Sequence, residues 1–440
     1  MAEREIPKGR LGRIARLASA GARTGASMLL KRKDDSVAKS AAKAATALGD
    51  MRALGAKLGQ MLAYIDGMLP EDQQAIFSEQ LKPLLEDTPT SSFESIRDQI
   101  QRELEGSLED LFLEFGEAPI ASASLGQVHR AKTKDGLEVA VKVQHPGIEE
   151  ALEMDLKNVK MLEGMASMMG SRKFDSANMI REIQDRFREE LDYSLEAHRQ
   201  RTFYAIHEQN PRVLIPRVID SLSSRRVLTS EFLTGQSYEE ACATPDEAAR
   251  AAWCETLWRF VYGTTLLANQ FNADPHPGNY RFRPGGEVVF FDFGCIQTVP
   301  LERTYKARKM HLAAARGQDD EFERCAIDLF NLKGGTWEKI LLEYLHLAFK
   351  PWFDSPFKFT PAYVRQVVEF LQGMKLDVIK LRDDSFVPME EGVLFVNRLQ
   401  FGFYSVLAGL DAEFDYGGLE IEYLEPVEHE TPDMIKDWYA

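Results

Sequence analysis

Asn272-Ala-Asp274-Pro-His276-Pro-Gly-Asn279, followed by Phe290-Phe291-Asp292-Phe293-Gly294, are the two stretches on which the reading of this chain turns. In the first, an aspartate precedes an asparagine by five positions, on a loop after a helical pattern. The aspartate is suited to orient an attacking hydroxyl or take its proton, and the asparagine amide oxygen is suited to a hard metal ion. Asp292 comes 18 residues after Asp274 and closes a short apolar strand, where its carboxylate is placed to meet magnesium. Singly, each is ordinary: Asp-Pro with Asn279 behind it makes a common turn, and an Asp-Phe-Gly tripeptide recurs by chance. In this order, separated by a hairpin whose turn is Pro284-Gly285-Gly286, they point together to phosphoryl-transfer chemistry.

The spacing of Asp274 and Asn279, with Asp292 downstream, resembles the catalytic loop and metal-binding motif of protein kinases. Working upstream, Val139-Ala140-Val141-Lys142 matches the strand that carries the ATP-phosphate lysine in that fold. A lysine in an apolar, alternating strand needs a partner if it is buried. Glu196 is the candidate, on a helix predicted from about Ser176 to His207 that places Glu189, Asp192 and Glu196 on one face. A solvated acidic face is the competing reading of those charges, and Lys142 weighs against it. Thr229-Ser230-Glu231-Phe232-Leu233-Thr234-Gly235 ends a strand, with two readings open: a hinge whose backbone binds adenine through Glu231 and Leu233, or a plain turn.

The remaining pattern gives the order of elements. Residues from about Ser36 to Gly67 read as one long helix, and helical segments continue to about Leu113, one opening at Thr90-Ser91-Ser92 with Glu94 behind it as a cap. The period then becomes strand-like from Ala118 to Gln144, around a Lys134-Asp135-Gly136 turn. Short strands follow at Leu214 to Asp220 and Arg226 to Phe232, then a helix from about Pro245 to Asn269. Everything beyond Pro300 reads as helical. The fold class expected is therefore α+β: a two-lobed protein-kinase-like fold with an N-terminal helical extension and an all-helical C-terminal region. The expected boundaries are a basic segment at 1–35, the extension at 36–115, an N-lobe with inserted helices at 116–235 and a helical C-lobe at 236–440.

Composition narrows the function. Among 440 residues, 69 are acidic and 53 basic, for a net charge of -16, the wrong sign for a nucleic-acid binder. The four cysteines have neither zinc-site nor disulfide-framework spacing, which fits a reducing compartment. No apolar run is long enough to span a bilayer, so the expectation is a cytoplasmic protein without a transmembrane helix. Arg10, Arg13, Arg16 and Arg23 interleave with Leu11, Ile14, Leu17 and Ala18. That stretch is either a peripheral contact to an anionic membrane or a solvated basic arm.

Several departures from ordinary protein kinases occur together. Ala121-Ser122-Ala123-Ser124-Leu125-Gly126-Gln127-Val128 stands where a glycine-rich phosphate loop is expected and resembles the alanine-rich loop of the ABC1/UbiB (AarF/ADCK) atypical kinases. Lys57-Leu58-Gly59-Gln60 resembles their KxGQ motif, and Glu190-Leu191-Asp192 their ExD motif. His276 replaces the lysine that many protein kinases carry two residues after the aspartate, and no Ala-Pro-Glu segment follows Gly294. The resemblance covers about Pro7 to Pro300.

It implies that Lys142 contacts the α and β phosphates and pairs with Glu196. It puts Asp274 at the catalytic-base position and gives the metal to Asn279 and Asp292. The nucleotide contacts it implies are Ala121, Ser122, Ala123, Ser124, Val128 and Ala140. Lys57, Gly59, Gln60, Glu190 and Asp192 would belong to the family's inhibitory extension, although a lysine and carboxylates on two helices also read as a surface salt bridge of little worth. Side chains in the phosphate loop restrict the φ > 0 conformations that glycine allows, so the loop is expected to be less adaptable.

The expected cofactors are ATP or ADP and Mg2+. The expected activity is ATP hydrolysis or phosphoryl transfer to a small or lipid-like molecule, with support of ubiquinone or isoprenoid-lipid metabolism as a family analogy. The alternative is a nucleotide-gated, catalytically weak scaffold for lipid or quinone-biosynthesis partners. A conventional protein kinase is the weakest reading. The pattern says nothing about oligomeric state.

Overall fold

The computed structural model describes residues 90–122, 125–153, 185, 188–380 and 393–430, without the side chains of 375–380 and 393–399. The basic segment, the helix expected at 36–67, Lys57, Gly59, Gln60, Ala123 and Ser124 lie outside these residues. The chain divides into two units, residues 1–195 with 218–232, and residues 196–217 with 233–440.

Unit 1 is built on an antiparallel sheet. Its strands are β1 (Phe112–Phe115), β2 (Ala121–Ser122), β3 (Gly126–Thr133), β4 (Glu138–Gln144) and, after a short β5 (Val213–Leu214) that belongs to unit 2, β6 (Val227–Glu231). The order is β1-β3-β4-β6, with β2 on the same edge of β3 as β1. Alternation decides which face is covered. Val139, Val141 and Val143 point one way and are fully buried, beneath Ile96 and Ile100 of helix α1 (Phe93–Leu104) and Phe112. Each isoleucine contributes roughly 2 kcal/mol by leaving water. Ser92 caps α1, as the Thr90-Ser91-Ser92 cluster suggests, accepting from the Ser95 amide. A short helix, α2 (Leu108–Leu111), leads into β1.

Pairing therefore begins at Phe112, ahead of Ala118 where alternation becomes visible in the sequence. Phe112 pairs with Thr133 and Phe115 with Ala131, with an irregularity between them, and four residues are too few for a period to show. The Lys134-Asp135-Gly136 turn forms with Gly136 at φ 90.

The helix predicted through His207 is interrupted. Leu191 and Asp192 break it, and α3 (Tyr193–His207) starts afresh. The cause is local: the Asp192 carboxylate accepts from the Ser194 and Leu195 amides at 2.9 and 3.3 Å, an N-cap. Asp192 thus stands at the helix start rather than on a shared face with Glu189 and Glu196.

Unit 2 joins α3 from Glu196 onward to two small sheets and the C-terminal helices. The strand expected over Leu214 to Asp220 is cut down to β5, which pairs in parallel with β9 (Val288–Phe290). Asp220–Leu222 is a 3-10 turn. β8 (Tyr280–Phe282) completes that sheet as the hairpin partner of β9, and β7 (Gln270–Asn272) pairs with β10 (Ile296–Thr298). The chain between them runs α4 (Tyr238–Cys242), α5 (Glu247–Trp258), a π-helical turn at Arg259–Gly263 and α6 (Thr264–Ala268). The π turn aims Phe260 at Phe290, where the rings stack 3.7 Å apart, while Trp258 and Tyr262 face Trp352 and Phe403.

Beyond Pro300 come α7 (Leu301–Ala315), α8 (Asp319–Phe330), α9 (Gly335–Ala348), α10 (Lys350–Phe353), α11 (Pro361–Lys380), α12 (Val393–Leu410) and α13 (Tyr416–Leu424). The one departure among the described residues from an all-helical C-terminal region is a two-residue ladder, Phe357 with Phe414 and Lys358 with Glu413. Glu420 of α13 is fully buried and satisfied by the Trp258 indole N–H at 3.1 Å and His311 Nδ1 at 2.9 Å.

Candidate active site

In unit 2 the loop after β7 and the turn after β9 are joined by hydrogen bonds of side chain and backbone. Asn279 donates through Nδ2 to the Asp274 carbonyl at 3.2 Å, which leaves its amide oxygen as the atom offered outward. The Phe291 amide bonds the Asn279 carbonyl at 2.9 Å, so the loop is carried on the β8–β9 hairpin. His276 caps the short 3-10 turn at Pro277–Asn279, its Nδ1 accepting from Gly278 N at 3.0 Å. Tyr280 is buried beneath, and burial together with the Asp274 carboxylate pushes its hydroxyl pKa up, keeping it neutral.

Asp292 lies just past β9 and not at its end, in the left-handed region at φ 61. That conformation is uncommon for a side-chain-bearing residue and costs about 1 kcal/mol or more. Its Oδ1 accepts from Gly294 N at 3.0 Å. Phe293, fully buried, packs on Phe203 of α3 at 5.4 Å. Glu196, nearly buried on α3, comes to the same turn: a Cβ built on Gly294 would lie 3.1 Å from Asp292 Oδ1 and 3.9 Å from Glu196 Oε2. Among the expected site residues, then, unit 2 gathers Asp274, Asn279, Asp292 and Glu196.

The residue that sequence reading passed over is Asn272. Its Oδ1 accepts from the Asp274 amide at 3.0 Å while its Nδ2 donates to the Asp292 carbonyl at 2.8 Å. One side chain thereby sets the distance between the two aspartates. The available signal was its place two residues before Asp274, and nothing in that spacing reveals a long-range bond. The C-terminal region also reaches the loop: a Cβ on Gly402 of α12 would lie 2.6 Å from Pro275 Cγ, so helix and loop pack backbone to ring.

In unit 1, Val128, Ala140 and Lys142 share the face opposite the buried valines. Val128 pairs with both Ala121 and Lys142. The Lys142 ammonium lies 5.0 Å from the centre of the Tyr193 ring, a cation–π contact on the first residue of α3. Tyr193 also explains Gly126: a Cβ there would run into the Val143 carbonyl and lie 2.7 Å from the Tyr193 hydroxyl. Glu231 ends β6 opposite Val139, and the chain passes from unit 1 to unit 2 between Phe232 and Leu233. Lys142 and Glu196 belong to different units, and their pairing remains an expectation. Glu190 lies in the last helical residues before the break that Asp192 caps.

Gln127, at the start of β3, belongs to a part-buried polar cluster. Ser91 N bonds Gln127 Oε1 at 2.9 Å, Ser91 Oγ bonds His145 Nδ1 at 2.9 Å, and Gln127 Nε2 meets His129 Nε2 at 2.8 Å. His129 Nδ1 donates to the Gly116 carbonyl at 2.7 Å, and burial lowers its pKa, so it is neutral. Among the described residues no group of three or more His, Cys, Asp and Glu forms a metal cage. Mg2+ held by one or two protein oxygens plus phosphates needs none.

A half-covered antiparallel sheet in one unit, and a β7-loop-hairpin-turn carrying Asp274, Asn279 and Asp292 in the other, define a protein-kinase-like domain. The chain belongs to the ABC1 atypical kinase-like family, whose model matches residues 83–325. It is 32% identical to Protein ACTIVITY OF BC1 COMPLEX KINASE 3, chloroplastic, of Arabidopsis thaliana, over 63% of this chain and 38% of that one. It is 30% identical to AarF domain-containing protein kinase 1 of Mus musculus, over 56% and 47%. The match thus spans less than half the length of these two relatives. Among solved structures it is similar to Rv3197 of Mycobacterium tuberculosis, solved with erythromycin, at a TM-score of 0.63 and 25% identity over 85% of this chain and 92% of that one. Among the described residues no helix is long and apolar enough to cross a membrane.

Proposed function

We propose that this chain is a magnesium- and ATP-dependent atypical kinase or ATPase that passes a phosphoryl group to water or to the hydroxyl of a small or lipid-like molecule. The observation that carries the reading is the bond set in unit 2: Asn279 to the Asp274 carbonyl, and Asn272 from the Asp274 amide to the Asp292 carbonyl. It ties together two aspartates and an asparagine whose side-chain oxygens suit a hard cation, which supports the reading. Asn279 Oδ1 and the Asp292 carboxylate would hold the magnesium, which would supply positive charge against the phosphates when bound. The Asp274 carboxylate takes the proton as the acceptor oxygen bonds to the γ phosphorus and the bond to the ADP oxygen breaks.

In unit 1, Lys142 supplies the cation for the α and β phosphates, and the Tyr193 ring 5.0 Å from its ammonium helps to place it. Val128 and Ala140 form the apolar floor for the base. The side chains in the alanine-rich sequence and His276 favour a slow enzyme with an acceptor other than a protein. Family kinship supports an acceptor or partner in quinone or isoprenoid-lipid metabolism, at an anionic membrane surface, as an analogy.

The test is phosphate release from magnesium-ATP by purified protein, with and without anionic liposomes, beside Asp292→Asn. Release that rises with lipid and is lost in the variant is expected. ATP binding without release above the variant's would replace the enzyme reading with a nucleotide-gated scaffold.

A further inference from the structure

We infer that Arg199 is a positioning residue of the metal-binding turn, acting on Asp292 through the backbone of Gly294; the inference rests on the reading of Asp292 as a magnesium ligand. Arg199 lies on α3, one turn after Glu196. Its Nη1 donates to the Gly294 carbonyl at 2.8 Å across 95 residues of sequence. Gly294 in turn donates its N–H to Asp292 Oδ1 at 3.0 Å. The Gly294 N–H thus orients the Asp292 carboxylate, and its carbonyl is oriented by Arg199.

Rigidity has to come from outside at this position. Glycine is the residue with most backbone freedom to lose, and a Cβ on Gly294 would lie 3.1 Å from Asp292 Oδ1, so a larger residue would push that carboxylate by a few tenths of an ångström. Asp292 is itself held at φ 61, a conformation that persists only when neighbours enforce it. Asn272 enforces it from β7, at the Asp292 carbonyl, and Arg199 from α3, two residues further on. A guanidinium donating to a carbonyl is a charge-assisted bond, stronger than a neutral one, and the delocalised, planar guanidinium makes it directional. Arg199 belongs to the helix that Asp192 caps, so this bond, beside the Phe203–Phe293 contact, ties the metal turn to the register of α3.

The experiment titrates Mg2+ against a fluorescent ATP analogue bound to the full chain, for the wild type, Arg199→Ala, Arg199→Lys and Asp292→Asn. Arg199→Ala is expected to raise the half-saturating Mg2+ by about tenfold, the equivalent of one charge-assisted bond. Analogue affinity in EDTA should stay unchanged, and added guanidinium ion should restore Mg2+ dependence. Arg199→Lys should fall between, because it keeps the charge but loses the planar fork. A merely structural role would lower the melting temperature without a guanidinium-reversible change in Mg2+ dependence. Should Arg199→Ala be too unstable to purify, Arg199→Gln carries the same titration. If Asp292→Asn shifts Mg2+ dependence and a folded Arg199 variant stays within about twofold of wild type, the clamp is wrong. If Asp292→Asn causes no shift, the metal reading itself fails and the clamp with it.

Discussion

Asn272→Asp separates the two bonds that the Asn272 side chain makes. The substitution is nearly isosteric and leaves an oxygen to accept from the Asp274 amide, now at 3.0 Å in the wild type. At the other end it replaces a donor with an acceptor, facing the Asp292 carbonyl across the 2.8 Å now spanned by Nδ2. One hydrogen bond is lost, about 1 kcal/mol, and the carbonyl oxygen is left against a negative oxygen, for about 1–2 kcal/mol more at a half-buried site. The total, roughly 2–3 kcal/mol at neutral pH, corresponds to a fall of several degrees in melting temperature.

The pH dependence follows from the chemistry of the new group. Its protonated form can donate to the Asp292 carbonyl, so folding raises its pKa above the unfolded value near 4. A raised pKa means the penalty is absent below the unfolded value and grows as pH rises through the folded one. Urea unfolding of wild type and variant from pH 4 to pH 8 is the assay, with phosphate release alongside. The difference should be small at the acid end, widen toward neutrality, and accompany a loss of release of tenfold or more, the equivalent of about 1.4 kcal/mol in the barrier. A variant within about 0.5 kcal/mol of wild type across the range would refute the claim that Asn272 joins the two aspartates.

Two further expectations concern the surroundings. Gly402→Ala pushes a methyl group onto Pro275 Cγ at 2.6 Å, and a proline ring in the loop has little room to yield; stability should fall by about 1–2 kcal/mol and phosphate release by more than that loss explains, whereas unchanged release would detach α12 from the loop. His207 is buried with its Nε2 on Thr264 Oγ1 at 2.8 Å, and burial lowers its pKa to about 4. A lowered histidine pKa contributes stability above the unfolded value of 6.5 that is lost as pH falls toward about 4, up to about 3 kcal/mol. Urea midpoints should therefore be less pH-dependent over that window in His207→Gln, and an unchanged slope would show that His207 is not the group responsible.

What the sequence by itself determined was every feature coded by short-range pattern. The strands that became β3, β4 and β6, the hairpin of β8 and β9, the helical run beyond Pro300, the Lys134-Asp135-Gly136 turn and the choice of Asp274, Asn279 and Asp292 as candidates all follow from periodicity, turn chemistry and motif spacing. Those signals lie within a few residues of one another, and the backbone enforces them locally. The helix break at Asp192 was also locally written, but an aspartate inside an apparently continuous helical period reads as a surface charge until its carboxylate is seen to cap. Only the tertiary structure decided the rest. That β5 joins β9 rather than the unit 1 sheet, that Tyr193 lies on Lys142, that α12 seats on Pro275, and that Asn272 and Arg199 hold the Asp292 turn are contacts between positions 20 to 127 residues apart. A hydrogen bond of that kind leaves no period and no spacing rule in the chain. It exists because the packing of hydrophobic faces, driven by area rather than by partner identity, happens to bring one donor to one carbonyl.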